Sequence, residues 1–161
     1  FSGGMRGRAL IAMALACSPS LLIADEPTKG LDAVTKREII DLFKEVNRDR
    51  SVLFITHAIE AARSLTTRVA VMYAGEIVEV GGTGEILSDP AHPYTRGLLA
   101  SLPERGMQPI PGSAPSLITP PPGCRFSPRC GRAGEDCRTE HPGLVEVRPG
   151  HYARCMLYDR G

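Results

Sequence analysis

Leu21-Leu22-Ile23-Ala24-Asp25-Glu26-Pro27-Thr28 decides the reading of this chain. Four apolar residues in a row, too few for a helix, read as a strand buried on both faces, as in the centre of a parallel sheet. Two adjacent carboxylates stand at its carboxyl end, where open α/β sheets bind their ligands. Such a pair separates two tasks. Asp25 is placed to hold Mg²⁺ through its water shell, because Mg²⁺ dehydrates reluctantly. Glu26 is placed to orient and deprotonate an attacking water.

One helix length upstream stands Phe1-Ser2-Gly3-Gly4-Met5-Arg6. Ser2 suits the N-cap of a helix over about 4–16, rich in Ala, Leu, Met and Ile and therefore expected to be largely buried. The hydroxyl of Ser2 and the bare amides of Gly3 and Gly4, at the positive end of that helix, suit a phosphate. Downstream, Gly30-Leu31-Asp32 forms a loop in which Asp32 can cap a helix with Ile39, Leu42, Phe43 and Val46 on one face. Residues 51–56 read as a second buried strand, and His57 lies just past its end, within reach of a γ-phosphate and Glu26. A short helix near 59–64 follows. Residues 68–73 and 76–80 then form an antiparallel hairpin across Ala74-Gly75. Strand, helix, strand with polar groups at strand ends is doubly wound α/β logic. No G-x-x-x-x-G-K-[ST] phosphate loop occurs in the 161 residues.

These strings resemble those of ABC-transporter ATPase subunits. Phe1 to Arg6 resembles their signature motif, Leu21 to Glu26 the Walker B strand, Gly30-Leu31-Asp32 the D-loop, and His57 the switch histidine. Gly7 departs from the usual Gln. The resemblance implies the C-terminal part of a P-loop NTPase domain, with parallel strands and flanking helices. It implies ATP and Mg²⁺ as ligands, and a head-to-tail partnership with a second ATPase subunit. In that arrangement Ser2, Gly3 and Gly4 touch ATP held mainly by the partner, while Asp25, Glu26 and His57 serve ATP on this subunit's own phosphate loop. The simplest expectation is that the sequence is the C-terminal piece of a longer protein and that this piece alone hydrolyses almost no ATP.

After Gly82 the composition changes. Residues 83–87 and 93–102 suggest short helices, with Pro93 suited to a first turn, and 103–122 read as a proline-rich linker. Asp89-Pro90-Ala91-His92-Pro93-Tyr94-Thr95-Arg96-Gly97-Leu98-Leu99 and Pro122-Gly123-Cys124-Arg125-Phe126-Ser127-Pro128-Arg129-Cys130 resemble the C-terminal extension of oligopeptide/dipeptide-permease ATPases, a branch that includes nickel importers. That divides the chain into an ATPase half (1–82), a helical extension and linker (83–122), and a small irregular cysteine-rich module (123–161). Tyr94 is expected to pack on a core. The implied partners are two transmembrane permease subunits and, indirectly, an extracytoplasmic solute-binding protein. The implied place is the cytoplasmic face of the cell membrane, held there peripherally.

Cys124, Cys130, Cys137 and Cys155 are separated by five, six and seventeen residues. In a cytosolic protein such a set suggests a metal site more than disulfides. The spacing fits neither a zinc ribbon nor a ferredoxin run, and leaves tetrahedral zinc and a [4Fe–4S] cluster open alongside plain reduced thiols. The resemblance implies the iron–sulfur cluster, with Arg125, Arg129, Arg132 and Arg138 offsetting its charge. Cys17 is expected in the core, and His151 on the surface, with a substitute-ligand role open to it. The net charge of +1 favours neither nucleic acid nor anionic lipid as a partner. Coiled coils and basic arms, which a chromosome-associated or translation-factor ATPase would need, are not visible. A metal- or redox-sensing module on a vestigial nucleotide fold is the alternative from another class.

Overall fold

The computed structural model describes residues 3–159. The chain divides into two compact units, 1–66 and 67–161.

In the first unit, α1 (Gly3–Leu15) leads to β1 (Leu21–Asp25), α2 (Ala33–Val46), β2 (Ser51–Ile55) and α3 (Ile59–Leu65). The two strands pair in parallel, Leu21 beside Ser51 through Asp25 beside Ile55. Glu26 N donates to Ile55 O at 2.9 Å, so the ladder continues to the first residue beyond the strand. Leu22 and Ala24 are buried together with Ile11, Ile39 and Phe43, and Leu42, Val46, Val52 and Phe54 pack against them. Phe43 meets Phe54 edge to face, with ring centroids 5.2 Å apart. The helical face read from the sequence of α2 is thus the face that builds this core.

Three expectations fail here. Residues 21–24 are not buried on both faces: burial alternates along β1, leaving Leu21 and Ile23 exposed beside exposed Leu53 and Ile55 of β2. A strand whose helices cover one side buries every second residue. Nor is α1 largely buried. Gly4 and Ile11 are its buried residues, while Met5, Leu10 and Met13 are exposed. Cys17, expected in the core, is exposed in the turn beyond α1.

The second unit opens with β3 (Arg68–Tyr73) and β4 (Glu76–Gly82), antiparallel across Ala74-Gly75. Both turn residues have positive φ, +48° and +82°, the requirement of a tight hairpin turn that matches strand twist. After α4 (Thr83–Ser88) and α5 (Pro93–Ala100) the chain runs irregularly to α6 (Asp136–Thr139), then β5 (Val145–Arg148) and β6 (His151–Ala153). These last strands join the hairpin, giving the order β3-β4-β6-β5. Tyr73, Val78 and Phe126 form the core of this unit. Tyr94 packs on it as expected, 4.4 Å from Tyr73 and 5.5 Å from Phe126 between ring centroids.

Among the described residues no helix is long and apolar enough to cross a membrane.

Candidate functional site

The parallel pairing of β1 and β2 brings Asp25, Glu26 and His57 to one end of the small sheet. Asp25 is exposed at the last position of β1. Glu26 follows with φ +45°, a conformation that costs a non-glycine residue free energy and recurs at active sites. The turn aims its carboxylate across at the neighbouring strand. Glu26 Oε1 accepts from His57 N at 3.0 Å and lies 2.8 Å from His57 Nδ1. The bond to the His57 ring is the main reason that the Glu26 carboxyl titrates below its ordinary value, with the His57 amide adding to it and partial burial opposing. Glu26 is therefore a carboxylate at neutral pH, oriented by two bonds. The His57 ring remains largely exposed, with Nε2 on the side away from that bond.

A second cluster forms where α1 begins. Asp32 caps α2: its Oδ1 accepts from Val34 N and Thr35 N, each at 3.0 Å, and its Oδ2 accepts from Thr35 Oγ1 at 2.7 Å. These bonds hold the Asp32 carboxyl below its ordinary value. Gly4 rests on the same Thr35, since a β-carbon at Gly4 would stand 2.6 Å from Thr35 Cγ2. A β-carbon at Gly3 would stand 3.1 Å from Leu31 Cδ2. The sequence suggested that these glycines clear a path for phosphate, and the structure gives them a packing reason as well. Ser2 lies outside the described residues. Gly7, the departure from the usual Gln, faces Ile39 at contact distance, so its missing side chain also lets α1 approach α2.

The cysteine module corrects an expectation. Among the described residues no three His, Cys, Asp or Glu side chains stand where they could hold a metal ion. Neither a [4Fe–4S] cluster nor zinc at Cys124, Cys130, Cys137 and Cys155 is therefore supported. The four residues border one shallow cleft, with room for about a single water (about 10 Å³), together with His92, Phe126 and Leu157. Burial pushes the thiols of Cys124, Cys130 and Cys155 above their ordinary value, which favours the protonated thiol over the thiolate that a metal needs.

Sequence reasoning missed a fully buried polar group of the second unit that makes three hydrogen bonds. Glu79 of β4 is fully buried. It accepts from Ala91 N at 2.6 Å and His92 N at 3.1 Å, and its Oε1 lies 2.7 Å from Nε2 of the fully buried His151. His151, expected on the surface, is instead a core residue of β6. A glutamate between valines in a hairpin carries no local sign of such partners, which come from 12, 13 and 72 positions away.

A parallel β/α layer with an acidic pair and a histidine at the strand ends defines the class, an α/β P-loop NTPase-like nucleotide-binding fold. Residues 1–29 match the ABC transporter family model, and residues 78–137 match the model of the oligopeptide/dipeptide transporter C-terminal region. The chain is 46% identical to the dipeptide transport ATP-binding protein DppD of Bacillus subtilis, over 99% of this chain and 50% of that protein. It is 42% identical to the oligopeptide transport ATP-binding protein AppD of the same organism, over 98% of this chain and 50% of that protein. A probable peptide ABC transporter ATP-binding protein of Sinorhizobium fredii is 49% identical over 96% of this chain and 48% of that protein. A dimeric ATP-binding cassette bound to ADP and Pi is 35% identical, with a TM-score of 0.47 over 52% of this chain and 36% of that chain. The chain belongs to the ABC transporter ATP-binding family, in its oligopeptide/dipeptide branch, and spans about half the length of the curated relatives it matches.

Proposed function

We propose that this chain supplies the hydrolytic half-site of an ATPase subunit that energises import of oligopeptides or dipeptides. The observation that carries this reading is the doubly bonded Glu26–His57 pair at the sheet's ligand end. Glu26 is the general base for the attacking water, and the His57 ring is the group that faces the γ-phosphate. Asp25, exposed and adjacent, fits a Mg²⁺ ion held through water, which would neutralise phosphate charge. By the resemblance, Ser2, Gly3 and Gly4 are the residues that serve ATP on a second ATPase subunit, and Asp32 fixes the start of α2 against which Gly4 packs. The energy reaches two transmembrane permease subunits, which receive cargo from a solute-binding protein outside the cell. The similarity to relatives named for dipeptide and oligopeptide transport supports this cargo class. The test is ATP turnover by the full-length protein bearing Glu26→Gln. Undiminished turnover would remove Glu26 from the chemistry, and ATP-independent peptide uptake would remove the function.

A further inference from the structure

One side chain of α2 sets where the first turn of α1 stands. A β-carbon on buried Gly4 would lie 2.6 Å from Thr35 Cγ2, with Thr35 Cβ and Oγ1 each at 3.8 Å. The direction in which a side chain would leave Gly4 therefore runs into this subunit's own interior, against α2. The Thr35 methyl group fills the space that side chain would take, and it is not free to swing aside. Thr35 Oγ1 donates to Asp32 Oδ2 at 2.7 Å, while Asp32 Oδ1 accepts from Val34 N and Thr35 N. A β-branched side chain in a helix has few χ1 positions, and leaving this one breaks the bond to Asp32. Further along α1, a β-carbon on Gly7 would meet Ile39 Cδ1 at 3.4 Å, and Arg8 Nη1 pairs with Glu38 Oε2 at 2.8 Å. Those contacts hold the body of α1 on α2, and Thr35 holds its start.

We propose that Thr35 is a positioning residue for ATP hydrolysis, acting through Gly4: its hydroxyl takes its bearing from Asp32, and its methyl fixes where the Gly4 amide stands. This role rests on the proposed service of Ser2, Gly3 and Gly4 to ATP on a second subunit. Gly4 then lacks a side chain to make room for Thr35, not to make room for phosphate. An alanine keeps the amide and changes only its place. A displacement of about 1 Å in a group that serves the reaction can cost on the order of 100-fold in rate. ATP held mainly by a subunit's own phosphate loop still binds.

The test uses full-length protein, with steady-state MgATP turnover and MgATP binding measured on the same preparations. The kcat is counted per bound MgATP, a quantity that a purely structural loss leaves at the wild-type value. Gly4→Ala overfills the contact and Thr35→Ser empties it. Each alone should lower kcat, by about tenfold or more and by about threefold respectively, with the Kd for MgATP unchanged. Combined, the alanine methyl takes the space that the threonine methyl left, so Gly4→Ala/Thr35→Ser should turn over faster than either single variant. Wild-type kcat in Gly4→Ala or in Thr35→Ser would overturn the proposal. So would a double variant that binds MgATP yet turns over no faster than Thr35→Ser, a comparison that decides even if Gly4→Ala alone fails to fold. Glu26→Gln is run beside them. If it turns over like the wild type, the ATPase reading itself falls. If it loses turnover while the double variant gains none, the positioning role of Thr35 falls alone.

Discussion

Glu26 grips His57 at two points, its Oε1 serving both the backbone amide at 3.0 Å and ring Nδ1 at 2.8 Å. One carboxylate oxygen thus sets the position of the β2 loop and the orientation of the ring it carries. The left-handed backbone of Glu26 makes this possible, because an extended residue there would point along the strand and miss the neighbouring loop.

Glu26→Gln keeps the shape and removes the carboxylate proposed as the base. In full-length protein we expect ATP turnover to fall by about 100-fold or more, with nucleotide binding retained. His57→Ala should reduce turnover comparably, and the double variant should be little worse than either, since residues acting as a unit are not additive. Phosphate release and nucleotide-binding assays on the three variants check this. Fully additive losses would separate the two residues.

Unit 1 was largely legible because its signals are local. The Asp32 cap, the Ile39–Phe43 face and the polar strand ends each lie within a few residues of the feature they determine. What escaped depends on neighbours distant in sequence. The exposed face of β1 follows from which elements cover it, and a run of apolar residues cannot report that. Glu79 and His151 meet across 72 positions, and β6 joins β4 only after the long irregular passage. The cysteine spacing suggested a ligand set, but spacing does not fix the direction of side chains in a fold with so little regular structure.

Gly4 can be tested through packing. Gly4→Ala would bring a methyl group to 2.6 Å from Thr35 Cγ2, and the resulting overpacking should cost about 1–3 kcal/mol. Thr35→Ser removes that methyl and keeps the hydroxyl that reaches Asp32. We expect the pair Gly4→Ala/Thr35→Ser to recover most of the loss, measured by urea denaturation followed by circular dichroism. A second substitution that rescues nothing would show that Thr35 is not what excludes a side chain at this position.

Glu79 holds three donors from two distant segments of the second unit, the Ala91–His92 turn and β6, so its removal should be severe. Glu79→Ala leaves Ala91 N, His92 N and the His151 ring without their acceptor inside the core, which should cost about 3–5 kcal/mol. All four tyrosines lie beyond residue 66, so tyrosine fluorescence in a denaturant titration reports this unit selectively. A midpoint unchanged from wild type would mean that water replaces the carboxylate at no cost.

His92 supplies a pH dependence with a definite sign. Burial holds its ring down at about 4 against an ordinary 6.5, opposed by the nearby Glu79 carboxylate and a bond to the Arg154 backbone. The ring nitrogen Nδ1 accepts from Tyr94 N at 3.0 Å, capping α5, and protonation there would remove the acceptor. Above pH 6.5 the ring is neutral whether the chain is folded or not, and it adds no pH dependence. As pH falls from 6.5 toward 4 the unfolded chain takes up a proton that the folded chain refuses. Stability is therefore full above 6.5 and lost through that window, by about 3 kcal/mol in all. His92→Asn keeps a capping acceptor without a titrating group. Between pH 7 and 4 the wild type should lose about 3 kcal/mol more than this variant, read from unfolding free energies by tyrosine fluorescence, while other titrating groups cancel in the difference. Parallel curves would place the His92 proton on the ring in the folded state as readily as in the unfolded one, and the cap would then have to be held by something other than Nδ1.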